Sequence, residues 1–191
     1  MNTAVIRMLD IAFAGLGLLI SLPILLLIAL LGLCDTGSPV FAQQRVGRYQ
    51  RPFTLYKFRT MSVGTASVAT HEVGSSSITP MGAVLRKTKI DELPQLINVL
   101  KGEMSFVGPR PEVPAFVSDL ERELPYYAER HVVKPGITGW AQINYPYGAS
   151  IEDARHKLEY DLYYAKNYTP FLDLLILLQT ARVILWPDGA R

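Results

Sequence analysis

The stretch from Ile11 to Leu33 runs for 23 residues without a formal charge. As a helix rising about 1.5 Å per residue it reaches roughly 35 Å, more than the roughly 30 Å hydrocarbon core of a bilayer. The chain is therefore expected to retain a membrane element. It makes a poor secretory leader, because the apolar run is too long and no small-residue cleavage site follows it. In its middle stands Ser21-Leu22-Pro23. Pro23 has no N–H for the carbonyl of Leu19, and its ring crowds that carbonyl. An orphaned carbonyl is costly in lipid, and the Ser21 hydroxyl is close enough in sequence to help. Two geometries follow: a straight span kinked at Pro23, or a helix-break-helix hairpin that enters and leaves by the same face. Arg7 precedes the segment and Arg45, Arg48 and Arg51 follow it, so both ends suit the cytoplasmic side.

Of the 191 residues 49% are apolar, enough for one domain with an appended membrane element. The net charge is only +2, without long like-charge runs or a basic patch interleaved with aromatics. That argues against a nucleic-acid partner. Cys34 is the single cysteine, which excludes an internal disulfide and a cysteine-rich zinc site. His71, His131 and His156 are scattered without metal-ligand spacing. No Gly-Lys-Ser/Thr phosphate loop, dinucleotide fingerprint or Gly-x-Ser-x-Gly elbow occurs.

Beyond the membrane segment, Asp35 to Pro39 reads as a turn-rich exit and Phe53 to Met61 as a strand. Ser62 to Thr79, rich in Ser, Thr, Ala and Gly, reads as a loop able to serve as a lid. Helices are expected over Met81–Ile90, Leu93–Leu100 before Gly102, Pro114–His131 with a break near Pro125, and Ile151–Tyr168. Ser105–Pro114 reads as extended, and Lys134–Gly148 as turns and short strands. The apolar tail Phe171–Trp186 suits a core helix or one lying in the membrane interface, with Trp186 near the headgroups.

The strongest chemical signal is the adjacent pair Asp91-Glu92 at a predicted helix start, with Pro94 in the first turn. The helix dipole and the upstream Arg86, Lys87 and Lys89 favour ionised carboxylates there. An ionised, partly desolvated Asp91 can attack phosphorus or bind magnesium. Neighbours on a helix point about 100° apart, so the two acids are not expected to share one job. The plain alternative is a charge pair that stabilises the helix start. Lys57 and Arg59, two apart on a strand, share a face roughly 6.5–7 Å apart, a spacing that suits a diphosphate or simply a solvated face. Arg110 sits between Pro109 and Pro111, a rigid mount for a planar anion-binding fork or a surface loop. Asp161, amid Tyr160, Tyr163 and Tyr164, could hold an arginine, bind metal or stay exposed.

Together these segments resemble the bacterial sugar transferases, the monotopic polyprenyl-phosphate phosphoglycosyl transferases. The matching text is YKFRTM at Tyr56–Met61, LRKTKIDELPQLINVLKGEMSFVGPRPE at Leu85–Glu112, KPGITGWAQIN at Lys134–Asn144 and EYDLYYAKNY at Glu159–Tyr168. The resemblance implies an irregular, helix-rich α/β fold with a re-entrant helix-break-helix and interfacial amphipathic helices. Residues 1–36 would form the membrane hairpin, with Ser21 and Pro23 at its break, and residues 37–191 a catalytic domain on the membrane's cytoplasmic face. The family's break is an adjacent Ser-Pro pair, whereas here Leu22 intervenes. The chain looks like the family's minimal form. Its KPGITGWAQINYPYGAS stretch and its ending Asp188–Arg191 look like members of exopolysaccharide pathways.

The same resemblance implies the chemistry. Asp91 would be the nucleophile toward the β-phosphate of a UDP-sugar, releasing UMP and leaving a phosphosugar-aspartyl intermediate. Undecaprenyl phosphate, in the bacterial inner membrane, would take up the sugar phosphate. Glu92 would assist with metal or proton handling, and Mg2+ would be held at Asp91 and Glu92. Lys57, Arg59, Arg86 and Arg110 would contact phosphates, with Asp161 orienting them. A homo-oligomer stays open. Two other readings compete: a noncatalytic membrane scaffold for later glycosyltransferases, favoured if Asp91→Ala leaves pathway output unchanged, and a nucleotide-sugar hydrolase, favoured by acceptor-independent turnover.

Overall fold

The computed structural model describes residues 2–65, 77–146, 148 and 150–185. Most of the expected lid loop, His71, Trp186 and the ending Asp188–Arg191 lie outside the described residues.

Helix α1 runs from Asn2 to Asp35 with Pro23 inside it. Among the described residues it is the one helix long and apolar enough to cross a membrane. It is continuous through Pro23, where the family resemblance implied a break. The Ser21 hydroxyl donates to the carbonyl of Gly17 at 2.6 Å, one turn back, and not to that of Leu19. A helical serine reaches the carbonyl four residues earlier, and Leu19 is too near in sequence for that geometry.

One flank of α1 joins the core of the rest of the chain. Ala14 packs with Phe53, Leu55, Leu96, Val99 and Met104, while Ile28 packs with Phe58 and Leu85. Gly17 allows the close approach, since a Cβ there would lie 3.2 Å from Leu96 Cδ1. Polar contacts anchor both ends. Arg7 donates to the carbonyls of Val99 (2.6 Å) and Leu100 (2.7 Å). Buried Asp10 accepts from the Ser105 hydroxyl at 2.9 Å and the Phe106 N–H at 3.2 Å. At the far end Thr79 donates to Asp35 at 2.8 Å. The other flank is bare, with Leu19 and Ile20 70% and 71% exposed.

An antiparallel hairpin follows, β1 (Val40–Val46) with β2 (Pro52–Phe58), Val40 opposite Phe58. Helix α2 (Pro80–Thr88) is capped by Thr79, whose hydroxyl accepts from the Gly82 N–H. Lys89, left-handed at φ 59°, turns the chain into a single 3-10 turn at Ile90–Glu92. Helix α3 (Gln95–Lys101) ends at Gly102, also left-handed at φ 85°. Strand β3 (Ser105–Val107) pairs in parallel with β4 (Gly136–Thr138). Between them lie α4 (Pro114–Glu123) and a 3-10 turn at Tyr127–Val132. The chain continues as α5 (Trp140–Asn144), α6 (Ile151–Asn167) and α7 (Pro170–Leu185). A reciprocal Ser150–Asp153 capping box starts α6. Among the described residues the result is a helix-rich α/β fold with two small sheets.

Candidate active site

Asp91 lies in the 3-10 turn between α2 and α3, only 7% exposed. Its Oδ1 is buried without a hydrogen-bond partner. Burial raises its pKa, Glu92 raises it further, and Lys57, Lys89 and Arg86 pull the other way. The sequence suggested that the helix start and flanking cations would dominate; desolvation outweighs them. Glu92 takes a different direction, as adjacent positions require, and reaches Arg110 at 3.9 Å.

The cations divide into two groups. Lys57, on β2, feels Arg45, Arg110 and Arg86 as well as Asp91. Burial first, then Arg45 and Arg110, lower its pKa to about 8. Arg86 lies within the field of Asp91 and donates Nε to the Thr60 hydroxyl at 2.8 Å. Arg59 is engaged elsewhere: its Nε donates to the Ser38 carbonyl at 2.8 Å and its guanidinium lies 5.3 Å from the Phe41 ring centre. Lys57 also lies over Phe41, at 5.5 Å, so the shared face expected for the two is present, but Arg59 serves the exit from α1.

Arg110 stands on a loop whose backbone is tied down on every side. The Gly108 N–H donates to Thr138 at 2.9 Å, and Pro109 accepts from the Gly136 N–H at 3.0 Å. Pro111 accepts from Arg45 at 3.1 Å, and Glu112 from the Val46 N–H at 3.0 Å. The carbonyl of Arg110 accepts from Arg130 Nη2 at 3.0 Å. Glycine is needed where this loop crosses β4, since a Cβ on Gly108 would lie 2.2 Å from the Lys134 carbonyl. The side chain of Arg110 is left 42% exposed, an accessible fork on a fixed base.

Asp161, 3% exposed, contacts none of the four basic side chains assigned to it from the sequence. Its Oδ2 accepts from Arg130 Nε at 2.9 Å and Nη2 at 2.7 Å. Asp161 therefore acts on Arg110 through an intermediary, Arg130, which the sequence reading missed. Arg45, read from the sequence only as a flanking charge, is buried, donates to the Pro111 carbonyl and lies in the field of Lys57. The one available signal for Arg130 was Asp161 itself, a carboxylate set among tyrosines and a leucine in EYDLYY.

Among the described residues no group of three or more His, Cys, Asp or Glu side chains could hold a metal. Asp91 nevertheless fits magnesium in its usual manner, one or two carboxylates completed by substrate phosphates and water, while Glu92, expected from the sequence as the second ligand, is turned toward Arg110. The unpartnered, buried Oδ1 of Asp91 is the donor that such an ion would use.

The model of a family described as "Bacterial sugar transferase" matches residues 1–187. The chain is 45% identical over 188 residues to a UDP-N-acetylgalactosamine-undecaprenyl-phosphate N-acetylgalactosaminephosphotransferase of Aeromonas hydrophila, covering 97% of this chain and 44% of that protein. It is 38% identical to a UDP-glucose:undecaprenyl-phosphate glucose-1-phosphate transferase of Caulobacter vibrioides, covering 96% and 71%. It is 37% identical to an undecaprenyl-phosphate galactose phosphotransferase of Salmonella typhimurium, covering 96% and 41%. The chain thus spans less than half of two of these relatives and about seven tenths of the third. By this match, which takes in the membrane helix, the carboxylate pair and the Arg110 loop alike, the chain belongs to the bacterial sugar transferase family.

Proposed function

We propose that this protein transfers a sugar 1-phosphate from a UDP-sugar to undecaprenyl phosphate, releasing UMP and starting the assembly of a polysaccharide or glycoconjugate. The observation that carries this reading is Asp91: a buried carboxylate with one unpartnered oxygen, in the field of Lys57, Lys89 and Arg86.

In the first step a carboxylate oxygen of Asp91 attacks the β-phosphorus. The bond from that phosphorus to the bridging oxygen breaks, and UMP leaves with the oxygen and its electron pair. In the second step a phosphate oxygen of the lipid attacks the same phosphorus, the aspartyl–phosphorus bond breaks, and the Asp91 carboxylate is restored. Lys57, Arg86 and Arg110 offset the charge that spreads over the phosphoryl oxygens. Burial supports the nucleophile, because it strips Asp91 of the water that would otherwise blunt it. Magnesium, held at Asp91, would neutralise the diphosphate. Glu92, paired with Arg110, positions that fork and is available for proton handling.

The membrane reading belongs to the same proposal. Helix α1 is tied to one domain at Arg7, Asp10 and Asp35. About 40 Å of helix lies between the outer ties at about 1.5 Å per residue. A perpendicular span would draw the charged domain alongside it into lipid. A re-entrant path, with both ends on the cytoplasmic face, avoids that cost. The Leu19 carbonyl, lacking its donor at Pro23, marks where lipid would bend the helix. Helix α7 also carries exposed apolar side chains, with Phe171, Leu174 and Leu178 exposed at 76%, 54% and 62%.

Purified protein with magnesium and undecaprenyl phosphate is expected to release UMP from one of a panel of UDP-sugars. Asp91→Asn is expected to lower that rate about a thousandfold or more. Full activity in Asp91→Asn removes the nucleophile assignment. Single cysteines placed near Asn2 and near Gln43, in a Cys34→Ser background, should both be shielded from an impermeant label in intact cells. Labelling at one end alone means a spanning helix.

A further inference from the structure

Two cations from distant parts of the chain meet at the far end of α3. The helix carries the chain about 10 Å away from the turn that holds Asp91, at about 1.5 Å per residue, and stops at Gly102. A Cβ placed on Gly102 would lie 3.4 Å from Arg7 Nη2 and 3.6 Å from Lys134 Nζ, so both side chains aim at one small space. Arg7 comes from α1, and Lys134 from the residues just before β4. The carbonyls of Val99 and Leu100 hold the Arg7 guanidinium, at 2.6 and 2.7 Å. Lys134 is half-buried and makes no hydrogen bond among the described residues. A third cation, Arg48, stands at the tip of the β1–β2 hairpin. Its Nε donates to the Val132 carbonyl at 2.9 Å, two residues before Lys134.

Like charges held this close repel, and burial adds to the cost. The Lys134 ammonium has its pKa lowered by burial first, then by Arg7, with Arg48 acting in the same direction. Asp10 acts the other way, but its Oδ1 already accepts from the Ser105 hydroxyl and the Phe106 N–H. An excess of positive charge remains, and an anion would relieve it.

We propose that Arg7, Lys134 and Arg48 form a binding site for the phosphate of an anionic membrane phospholipid, apart from the site of phosphoryl transfer. The inference rests on α1 entering the membrane and not on the transferase chemistry.

The surroundings of the cations make the occupant a lipid. Val5, Met8 and Leu9 flank Arg7 on α1 and are exposed, Met8 by 71%. Such side chains belong among acyl chains, which sets the Arg7 guanidinium, tied back to the domain, at the depth of the headgroups. Arg48 lies 4.5 Å from the ring centre of Tyr49, itself exposed, and tyrosine is enriched at that same depth. A free anion would find the same charges without using the apolar side chains beside them. The donors suffice for a phosphodiester. A guanidinium carries five N–H groups, of which Arg7 gives two to carbonyls, and an ammonium carries three. A headgroup bound here would neutralise the cluster, stabilise the fold and fasten the start of α1 to the membrane surface.

The test uses the full chain in nanodiscs of phosphatidylcholine, with or without phosphatidylglycerol, and reads thermal unfolding. Wild type should unfold at a higher temperature when phosphatidylglycerol is present. Lys134→Gln and Arg48→Gln, which leave the ties between α1 and α3 intact, should lose much of that gain. Lys134→Arg, which keeps the charge, should retain it. Short-chain phosphatidylglycerol titrated into the protein in a neutral detergent gives an apparent affinity, which each glutamine variant should weaken about fivefold. Inorganic phosphate is the third probe. Equal stabilisation by inorganic phosphate overturns the lipid assignment and makes this a site for a free anion. No gain from phosphatidylglycerol in wild type overturns the site, as does an undiminished gain in the glutamine variants. If one variant does not fold in phosphatidylcholine alone, the other decides. Wild type that stays monodisperse in buffer, without detergent or lipid, sinks the membrane reading instead.

Discussion

Lys57 lies half-buried among Arg45, Arg110 and Arg86, and burial together with these cations brings its ammonium down to about 8. It is charged below that pH and neutral above it. If its cation grips the donor, kcat/KM should fall as pH rises through about 8, because that parameter reports the free enzyme. Bound diphosphate restores the proton, so the fall in kcat should lie at higher pH. Lys57→Arg should move the alkaline limb upward, since a guanidinium keeps its charge. An unchanged limb in a pH–rate profile of that variant would separate Lys57 from donor binding. Asp161 and Arg130 form a pair whose side chains are 4% and 5% exposed. Asp161→Ala leaves a buried guanidinium without its counterion and should cost about 3–5 kcal/mol, read as a lower Tm. Asp91 and Arg110 were singled out in the sequence by residue type and setting, and the fold brings Arg110 to Glu92, the neighbour of Asp91. Arg45 and Arg130 were not legible, because a buried arginine is recognised by its partners and those come from distant segments.

Among the elements, most helices were legible from periodicity and stop signals, and Gly102 ends α3 where it was expected to. Strand β1 was missed for a physical reason. Its inward positions include Gln43 and Arg45, so the alternation that betrays a half-buried strand is filled with polar side chains. Helix α5 was too short to show a period. Helix α1 was easy to find and hard to orient, since an uncharged run does not say what its flanks touch. The contact with α3 through Gly17 is open to test. Gly17→Leu would force Leu96 aside and should cost about 1–3 kcal/mol of stability, measured by thermal unfolding in detergent. A neutral effect would mean that α1 rides loosely on the domain.

At the scale of the molecule, the membrane helix and the domain share one core. Ala14 is fully buried and Ile28 nearly so, each against residues of the hairpin, α2 or α3. The division expected at residue 36 follows the chain but cuts through this packing. Deleting residues 1–36 should therefore not yield a soluble enzyme. Leu96, Val99 and Met104 would lose their cover, and the product should aggregate or show broadened unfolding by circular dichroism. A soluble, cooperatively unfolding fragment would mean that the shared core is dispensable.

The loop that carries Arg110 is held by Arg45, Val46, Arg130, Gly136 and Thr138, all remote from it in sequence. Such contacts form only after long loops have closed, so they come late and depend on the whole chain. No short stretch of this protein can hold the arginine in place by itself, and no fluctuation confined to the loop can release it without breaking several of these ties. In a urea titration, catalysis and tertiary structure should disappear at one midpoint, with no interval in which a folded but silent enzyme persists.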